Sequence, residues 1–206
     1  MREFLGQDTR GMTHPLKDQI RRALSRRQRR IVADPSLRKA AVLMPLYEDD
    51  GVLHILFTRR SEEMPQHKGQ IAFPGGCEHR DDQSLQATAL RETEEEIGLR
   101  VGDVEILGEL DDTATATTRF IVTPFVGFIP HPYPFRVNPS EIVELIPLPL
   151  SLLCDPSLFR EELWDRDGVK TPVYFYMVGP HVIWGLTARI LKQFLEAVVS
   201  TSRAAL

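Results

Sequence analysis

Three glutamates in the middle of the chain have types and spacing that suit phosphate chemistry. A helix turns by about 100° per residue, so Glu92, Glu95 and Glu96 fall on one side of the helix predicted there. Carboxylates three and four residues apart repel each other, and a hard divalent cation compensates that repulsion. Magnesium binds through a few carboxylates and also accepts substrate phosphate oxygens. The spacing therefore predicts a magnesium-type site, with Arg91 bracing Glu95 beside it.

The same helix carries an apolar flank next to its acidic side, made of Ala89, Leu90, Thr93 and Ile97. We therefore expect the three carboxylates to border the core and not to face bulk water. Gly98 predicts the end of the helix, because glycine adopts the left-handed conformation at little cost. A bare run of glutamates is usually a solvated face, and Glu94 is expected to point away from the others. The apolar flank, Gly98 and the pair Gly75-Gly76 favour a functional cluster.

The elements around this helix predict a layered α/β or α+β fold with a mixed sheet. Strands are predicted at 40–47, 52–58, 70–73, 104–110, 120–129, 173–178 and 181–184. Helices are predicted at 15–31, at 84–97 and from Thr187 onward. The proline-rich stretch 130–139 is interpreted as an irregular loop, since structured segments resume on both sides. Strands before and after a central helix, with helices at both ends, are typical of layered folds.

The composition excludes several classes of protein. The 206 residues are 42% hydrophobic and 26% charged, which predicts one soluble globular domain with at most a terminal extension. No apolar run approaches the roughly 20 residues of a membrane-spanning helix, so no membrane association is expected. Cys77 and Cys154 are far apart, which excludes a disulfide framework and a structural zinc site. No secretory signal is recognised at residues 1–10, so a cytoplasmic location is expected.

Positive charge is concentrated at the start of the chain. Residues 1–40 contain 11 Lys and Arg against 4 Asp and Glu, whereas the remainder contains 14 against 25. The helix predicted at 15–31 is amphipathic and presents arginines on its other faces. A solvated basic face is favoured over an anion-binding or nucleic-acid role, and a mitochondrial presequence is a weaker alternative. We divide the chain into a basic amphipathic helical extension at 1–34 and a domain at 35–200.

The stretch 75–99 resembles the signature of the Nudix hydrolases. In that family a glycine loop and the pattern Arg-Glu-x-x-Glu-Glu-x-Gly form a loop-helix-loop that binds magnesium or manganese. The loop between Gly76 and Arg91 is one residue longer than the general family spacing, so Asp82 or Gln83 stands where a glutamate is expected. The resemblance implies a Nudix-like α/β/α sandwich with a mixed β-sheet, and Mg²⁺ or Mn²⁺ as the cofactor.

The longer loop is similar to that of the coenzyme A pyrophosphatase branch of the family. The stretches 58–76 and 182–188 also resemble this branch, apart from Met64-Pro65, where its pattern more often has leucine and a polar or basic residue. The branch implies a nucleoside diphosphate substrate of the coenzyme A type, either coenzyme A or an acyl derivative. Hydrolysis of its pyrophosphate bond gives 3′,5′-ADP and 4′-phosphopantetheine or the acylated product.

Other functions are compatible with the same features. An ADP-ribose or other dinucleotide pyrophosphatase is the alternative within the enzyme class. A catalytically silent Nudix-like module that binds nucleotides is a second alternative, which the complete set of glutamates disfavours. Nucleic acid is not an expected partner, because no aromatic stacking platform accompanies the N-terminal arginines. Arg26 and Arg27 are instead a candidate source of cations for further substrate phosphates, and a homodimer is left open.

The resemblance also assigns roles to individual residues. The metal ligands are implied to be Glu92, Glu95, Glu96 and the carbonyl oxygen of Gly76. Candidates for binding the substrate and its phosphates precede the helix, and they are Arg59, Arg60, Lys68 and Gly75. Glu141 and Glu144 are candidate general bases, and with the three helix glutamates they make up the predicted catalytic set. His67 has no partner at ligand spacing and is interpreted as structural or substrate-adjacent.

Overall fold

A mixed β-sheet forms the centre of the protein. The computed structural model describes residues 15–64, 67–115, 118–166 and 168–203. Within these residues the sheet has eight strands, β1 (Arg38–Asp49), β2 (Val52–Arg60), β3 (Ile71–Ala72), β4 (Gly75–Cys77), β5 (Glu105–Glu109), β6 (Thr113–Ala114), β7 (Phe120–Phe128) and β8 (Ile142–Pro149). The main order is β3-β2-β1-β7-β5, with β4 beside β1, β6 beside β7 and β8 beside β2. The β1–β7 pair is parallel and the other pairs are antiparallel.

A smaller antiparallel sheet and four α-helices complete the described residues. The second sheet contains β9 (Phe159–Arg166), β10 (Val169–Val178) and β11 (His181–Trp184), with β10 in the middle. The helices are α1 (Pro15–Ser25), α2 (Leu85–Ile97), α3 (Leu150–Leu153) and α4 (Gly185–Arg203). None of these helices is long and apolar enough to cross a membrane.

The alternation of side chains along β1 divides the core into two layers. Met44 and Leu46 belong to a buried cluster that also contains residues of α1 and α4, such as Leu24 and Phe194. Leu43, between them, belongs to a second cluster that includes the apolar side of α2. Successive side chains of a strand point to opposite faces, so each face of the sheet receives its own helical layer. This arrangement is the expected α/β/α sandwich, with α2 alone on one side and α1 and α4 on the other.

Local signals explain where the central elements begin and end. The β1–β2 hairpin turns through Asp50 and Gly51, both with positive φ, at 48° and 78°. Such a pair matches the twist of a two-residue hairpin, for which Asp-Gly is a preferred sequence. The side chain of Ser84 accepts a hydrogen bond from the backbone N–H of Ala87 and caps the start of α2. Gly98, with φ 71°, ends it.

Most predicted elements are confirmed, but the first helix is wrong at its C-terminal end. The helix predicted at 15–31 ends at Ser25 in the structure. The following segment lies against two aspartates of the β5–β6 connection, because the backbone N–H of Arg30 donates to Asp111 at 3.1 Å. The N–H of Val32 donates to Asp112 at 3.0 Å in the same way. These contacts satisfy backbone groups that a continued helix would have satisfied internally.

Four strands, β4, β6, β8 and β9, were not expected from the sequence. Pro147 and Pro149 lie in β8, and proline normally argues against a strand because it cannot donate to the ladder. Within the described residues β8 pairs with β2 only, so it is an edge strand, where proline is tolerated. The predicted strand at 70–73 is shortened to β3, whereas the loop predicted at 130–139 is confirmed.

The division at residue 34 stays a prediction. Residues 1–14 and Pro65 lie outside the described residues, so the start of the proposed extension and part of the mismatch at Met64-Pro65 are not described. Helix α1, which belongs to that extension, packs against β5 and α4.

We predict that Leu43→Ala lowers the free energy of unfolding by about 2–5 kcal/mol, because Leu43 is fully buried between β1 and α2. The matched control is Leu163→Ala, since Leu163 is 62% exposed and should change stability by less than about 0.5 kcal/mol. Urea denaturation measures both values. Equal losses in the two variants would contradict the two-layer description of the core.

Candidate active site

The glycine pair of β4 lies directly beneath the acidic side of α2. At Gly76, an added Cβ would overlap the carboxylate of Glu92. At Gly75, where φ is +146°, it would overlap the carbonyl oxygen of Ala41 on β1. A side chain at either position would therefore separate β4 from its neighbours. The two glycines let a backbone strand approach the carboxylates at contact distance.

Glu96 is a buried carboxylate held by this strand. Its side chain is 2% exposed, and its Oε2 accepts a hydrogen bond from the backbone N–H of Gly75 at 3.1 Å. Arg60 Nη1 lies 3.5 Å from the other oxygen. Burial raises the pKa of Glu96 to about 8, although Arg60 and the Gly75 N–H act in the opposite direction. The negative charges of Glu141 and Glu92 raise it further, so the ionised form favours an additional cation.

The three glutamates are buried to different extents, with Glu92 more exposed than Glu96 and Glu95 the most exposed. Burial also raises the pKa of Glu92, with the charge of Glu95 adding to the effect and Arg91 opposing it. The side chain of Glu92 is 15% exposed, whereas that of Glu95 is 55% exposed. The expectation that all three carboxylates border the core is therefore wrong for Glu95. At about 100° per residue, Glu95 is the carboxylate farthest from the apolar flank of α2, and its side chain lies largely in solvent.

Arg91 joins the glutamates to the loop before the helix. Its Nη1 lies 2.9 Å from Glu92 Oε1 and 3.1 Å from Glu95 Oε2, which confirms the expected brace and extends it to a second glutamate. Its Nε and Nη2 form a two-pronged contact with Asp82, at 2.9 and 3.0 Å. Nη2 also donates to the carbonyl of Cys77 at 3.2 Å. One guanidinium thus ties together β4, the loop and α2.

Asp82 is the site residue whose role the sequence left unassigned. Its carboxylate accepts hydrogen bonds from Arg91, from the backbone N–H of His79 and from the Thr88 hydroxyl. The hydrogen bonds from Arg91 hold the pKa of this carboxyl well below its usual range, with the other two donors contributing. The sequence signal for this role was an acidic residue in the loop just before Ser84, close enough to α2 to pair with Arg91.

The loop before β8 brings Glu141 to the glutamates. Backbone N–H groups of Arg136 and Asn138 donate to the carbonyls of Ile97 and Glu96 at 2.9 and 2.8 Å, so the loop covers the end of α2. The side-chain amide of Asn138 then donates to Glu141 Oε1 at 3.0 Å. This positions the Glu141 carboxylate close enough for its charge to act on Glu96.

Other predicted site residues lie around this cluster with different partners. Arg59 Nε donates to Glu144 at 2.7 Å across the β2–β8 pair, and its Nη2 lies 3.0 Å from His181 Nδ1. Lys68 is exposed in the turn before β3, where His67 Nδ1 lies 3.0 Å from the side-chain oxygen of Gln70. Among the described residues, no hydrogen bond or ion pair joins Arg59, Glu144 or Lys68 to the helix glutamates. Their catalytic and substrate-binding roles stay predictions.

The donors fit a hard divalent cation by their chemistry. Glu92 and Glu96 are carboxylates whose charge is disfavoured by burial, and a cation would stabilise that charge. Arg91 Nη1 pairs with Oε1 of Glu92 and with Oε2 of Glu95, and each carboxylate has a second oxygen with which it could bind a cation. The described side chains do not form a ready-made cage of three or more His, Cys, Asp or Glu.

A family comparison identifies the constellation. Residues 37–149 match the model of the NUDIX domain, which is more than half of the chain. The chain belongs to this family. It is 39% identical over 161 residues to the "Uncharacterized Nudix hydrolase NudL" of Photorhabdus laumondii subsp. laumondii, covering 78% of this chain and 85% of that protein. The protein of the same name from Yersinia pestis is 38% identical over 162 residues, covering 78% and 80%.

Solved structures of Nudix proteins share the fold. A MutT/nudix family protein from Enterococcus faecalis aligns over 92% of this chain and 76% of its own, with a TM-score of 0.58 and 14% identity. A NUDIX hydrolase from Alicyclobacillus acidocaldarius aligns over 82% of this chain and 97% of its own, with a TM-score of 0.50 and 20% identity. The protein is therefore an enzyme of the Nudix hydrolase family, which acts on phosphoric anhydrides.

We predict that Asp82→Asn lowers the free energy of unfolding by about 1–3 kcal/mol at pH 7, because it removes the two-pronged ion pair of the partly buried Arg91 and leaves that arginine only its ion pairs with Glu92 and Glu95. The folded-state pKa of Asp82 lies below the unfolded value, so this stabilisation is present above the unfolded pKa of about 3.9 and is lost as pH falls toward the folded value. Urea denaturation at pH 7 and pH 3 should show the difference between wild type and variant shrinking in acid.

The control for this prediction is Asp81→Asn, because Asp81 is the exposed neighbour in the same loop. It removes the same charge without touching Arg91, and we expect a change within about 0.5 kcal/mol. A loss of equal size in both variants would mean that the Asp82–Arg91 contact has no special role in stability.

Proposed function

We propose that this Nudix hydrolase cleaves the pyrophosphate bond of coenzyme A or an acyl-coenzyme A with the help of a divalent metal ion. The products are 3′,5′-ADP and 4′-phosphopantetheine or its acyl derivative. The observation that carries the hydrolytic part is the buried carboxylate of Glu96, held by the Gly75 N–H beside Glu92. The coenzyme A part is supported by the resemblance of 58–76 and of the longer loop to that branch.

Glu92, Glu95 and Glu96, with the carbonyl oxygen of Gly76, are the proposed ligands of Mg²⁺ or Mn²⁺. The bound ion would lower the pKa of a water molecule and neutralise charge on the bridging and leaving oxygens. The protein contributes the position of the ligands. The Gly75 N–H holds one oxygen of Glu96, and Arg91 holds one oxygen each of Glu92 and Glu95. Each carboxylate is thereby oriented before substrate binds, which lowers the reorganisation needed in the transition state.

Glu141 is the better supported of the two candidate general bases. Its carboxylate is positioned by Asn138, and its charge acts on Glu96. A base in this place removes a proton from the attacking water when the water lies between it and the helix glutamates. Glu144, in contrast, is engaged by Arg59 across the β2–β8 pair. Its proposed role as a base would require that ion pair to open.

Cations near the glutamates are proposed to bind the phosphates of the substrate. Arg60 has its Nη1 near Glu96, while its Nε is a buried donor without a partner among the described residues. A phosphate oxygen would satisfy this donor and remove the cost of leaving it unbonded. Arg59, Lys68 and the backbone at Gly75 complete the proposed substrate contacts.

We predict that Glu96→Gln lowers kcat by about 100-fold or more, equivalent to about 3 kcal/mol at the transition state. The amide keeps the shape of the side chain but removes the charge that holds the metal ion. The measurement is steady-state turnover at saturating Mg²⁺, together with urea denaturation to show that the variant is folded.

The matched control is Glu94→Gln, which removes a charge from the same helix but from outside the cluster of Glu92, Glu95 and Glu96. Glu94 is exposed on the same helix, so its replacement should leave turnover close to the wild-type value. Near-wild-type turnover in Glu96→Gln would remove Glu96 from the mechanism, and equal losses in both variants would point to a general effect of helix charge.

The substrate assignment is tested by product analysis. Mass spectrometry of reactions with coenzyme A, ADP-ribose, NADH and diadenosine polyphosphates, each with and without Mg²⁺, should give the highest kcat/KM for coenzyme A. Its reaction should yield 3′,5′-ADP only when metal is present. Faster cleavage of ADP-ribose would replace the proposed substrate while keeping the hydrolase. No cleavage of any of these compounds by wild type would favour a silent nucleotide-binding module.

A further inference from the structure

The arginines that follow α1 form a pocket away from the glutamates. After Ser25 the chain leaves the helix and lies against Asp111, whose Oδ1 accepts from Arg27 Nη2 at 3.0 Å and from the Arg30 backbone N–H at 3.1 Å. Between this segment and α4 lies a cavity of about 470 Å³. We call it the arginine pocket, and the polar residues that line it are Arg26, Arg27, Arg30, Asp111, Gln193 and Glu196.

Positive charge in the arginine pocket exceeds the negative charge that faces it. Asp111 is paired with Arg27. Glu196 is paired with Lys192, one turn earlier on α4. Within the part of the chain that the structure describes, the guanidinium groups of Arg26 and Arg30 have no ion pair or hydrogen bond. Two cations around one concave surface attract an anion that carries more than one oxygen.

Two buried atoms at the same place also have unused hydrogen-bonding capacity. Arg27 Nη1 is a buried donor and Gln193 Oε1 is a buried acceptor, and neither has a partner among the described residues. Gln193 is oriented by its amide nitrogen, which donates to Thr113 Oγ1 at 3.1 Å. A buried polar atom left unbonded costs about 1–3 kcal/mol, and a ligand that bonds it recovers that cost. A ligand that satisfies both atoms has acceptor oxygens and a nearby hydroxyl or amino group.

The arginine pocket is separate from the glutamate cluster. Helices α1 and α4 cover the face of the sheet that carries Met44 and Leu46, whereas α2 covers the face that carries Leu43. The main sheet therefore lies between the pocket and the catalytic glutamates. This corrects the expectation that Arg26 and Arg27 supply cations to further phosphates of the substrate in the active site.

We propose that the arginine pocket binds the phosphate group of a small phosphorylated molecule, at a site distinct from the active site. Arg26 and Arg30 face the phosphate oxygens, Arg27 Nη1 donates to one of them, and Gln193 accepts from a hydroxyl or amino group of the ligand. Asp111 and Glu196 border the cavity and repel a long polyanion, which favours a compact ligand over the continuous backbone of a nucleic acid.

The experiment compares the anion affinities of two double variants in metal-free buffer at low ionic strength. The probes are inorganic phosphate and glycerol phosphate, measured by isothermal titration calorimetry. Arg26→Gln/Arg30→Gln should weaken both at least tenfold relative to wild type. Lys39→Gln/Lys170→Gln is the charge-matched control, because both lysines are exposed and lie outside the arginine pocket and the proposed active site. It should bind both probes as wild type does. Urea denaturation of each variant confirms that it is folded, and Arg27 is left intact because it holds Asp111.

Several outcomes would overturn the proposal. No binding by wild type, equal weakening in the two variants, or unchanged binding by Arg26→Gln/Arg30→Gln would each mean that the arginine pocket binds no phosphate. A single-stranded RNA that binds through Arg26 and Arg30 while the small phosphates do not would assign the surface to nucleic acid. The Arg26→Gln/Arg30→Gln variant should also keep the wild-type KM for the substrate found by product analysis. A raised KM would place these arginines in substrate binding and remove the separate site.

Discussion

The contact between a buried carboxylate and a glycine backbone is the interaction on which the proposed active site depends. Burial disfavours the charged form of Glu96, and the Gly75 N–H and Arg60 offset only part of that cost. The remaining electrostatic demand is what makes this position suited to a metal ion. The approach of β4 is possible because Gly75 and Gly76 carry no side chains. The proposed site therefore depends on a backbone strand that can come close to α2.

The other contacts around α2 orient what this approach brings together. Arg91 reaches from the helix to Asp82 and to the carbonyl of Cys77, so the loop, the strand and the helix are held as one unit. At the other end of α2, backbone hydrogen bonds from the loop before β8 carry Glu141 toward Glu96. Acidic residues that are far apart in sequence, such as Glu96 and Glu141, are therefore close together at one end of the helix. Their mutual repulsion is kept within bounds by two arginines, Arg60 and Arg91.

The sheet also explains the uneven distribution of charge along the chain. Basic residues after α1 meet acidic residues of the β5–β6 region, as Arg29 does with Glu109 and Asp112. Much of the charge asymmetry of the sequence is thereby neutralised in the fold, on the side of the sheet away from α2. The positive charge that is not neutralised lies around the arginine pocket.

The sequence by itself determined the features that depend on neighbouring residues. The helix near 84–97, its end at Gly98 and the pairing of Arg91 with Glu95 follow from periodicity and short-range contacts, and the structure has all of them. The layered α/β class with a mixed sheet also follows from local patterns of apolar residues, whereas the α/β/α sandwich was implied by the family resemblance. The edge strand β8 could not be predicted in this way. Its prolines argue against a strand, and only its position at the edge of the sheet permits them.

Only the tertiary structure decided how the three glutamates differ. Periodicity places them on one side of a helix, but it does not say how closely a strand approaches them. In the structure β4 contacts Glu92 and Glu96, while Glu95 lies largely in solvent. The early end of α1 and the position of Glu141 were settled in the same way, by hydrogen bonds between residues distant in sequence. Such contacts depend on how elements pack against each other, and packing is a property of the whole chain that no short stretch of sequence contains.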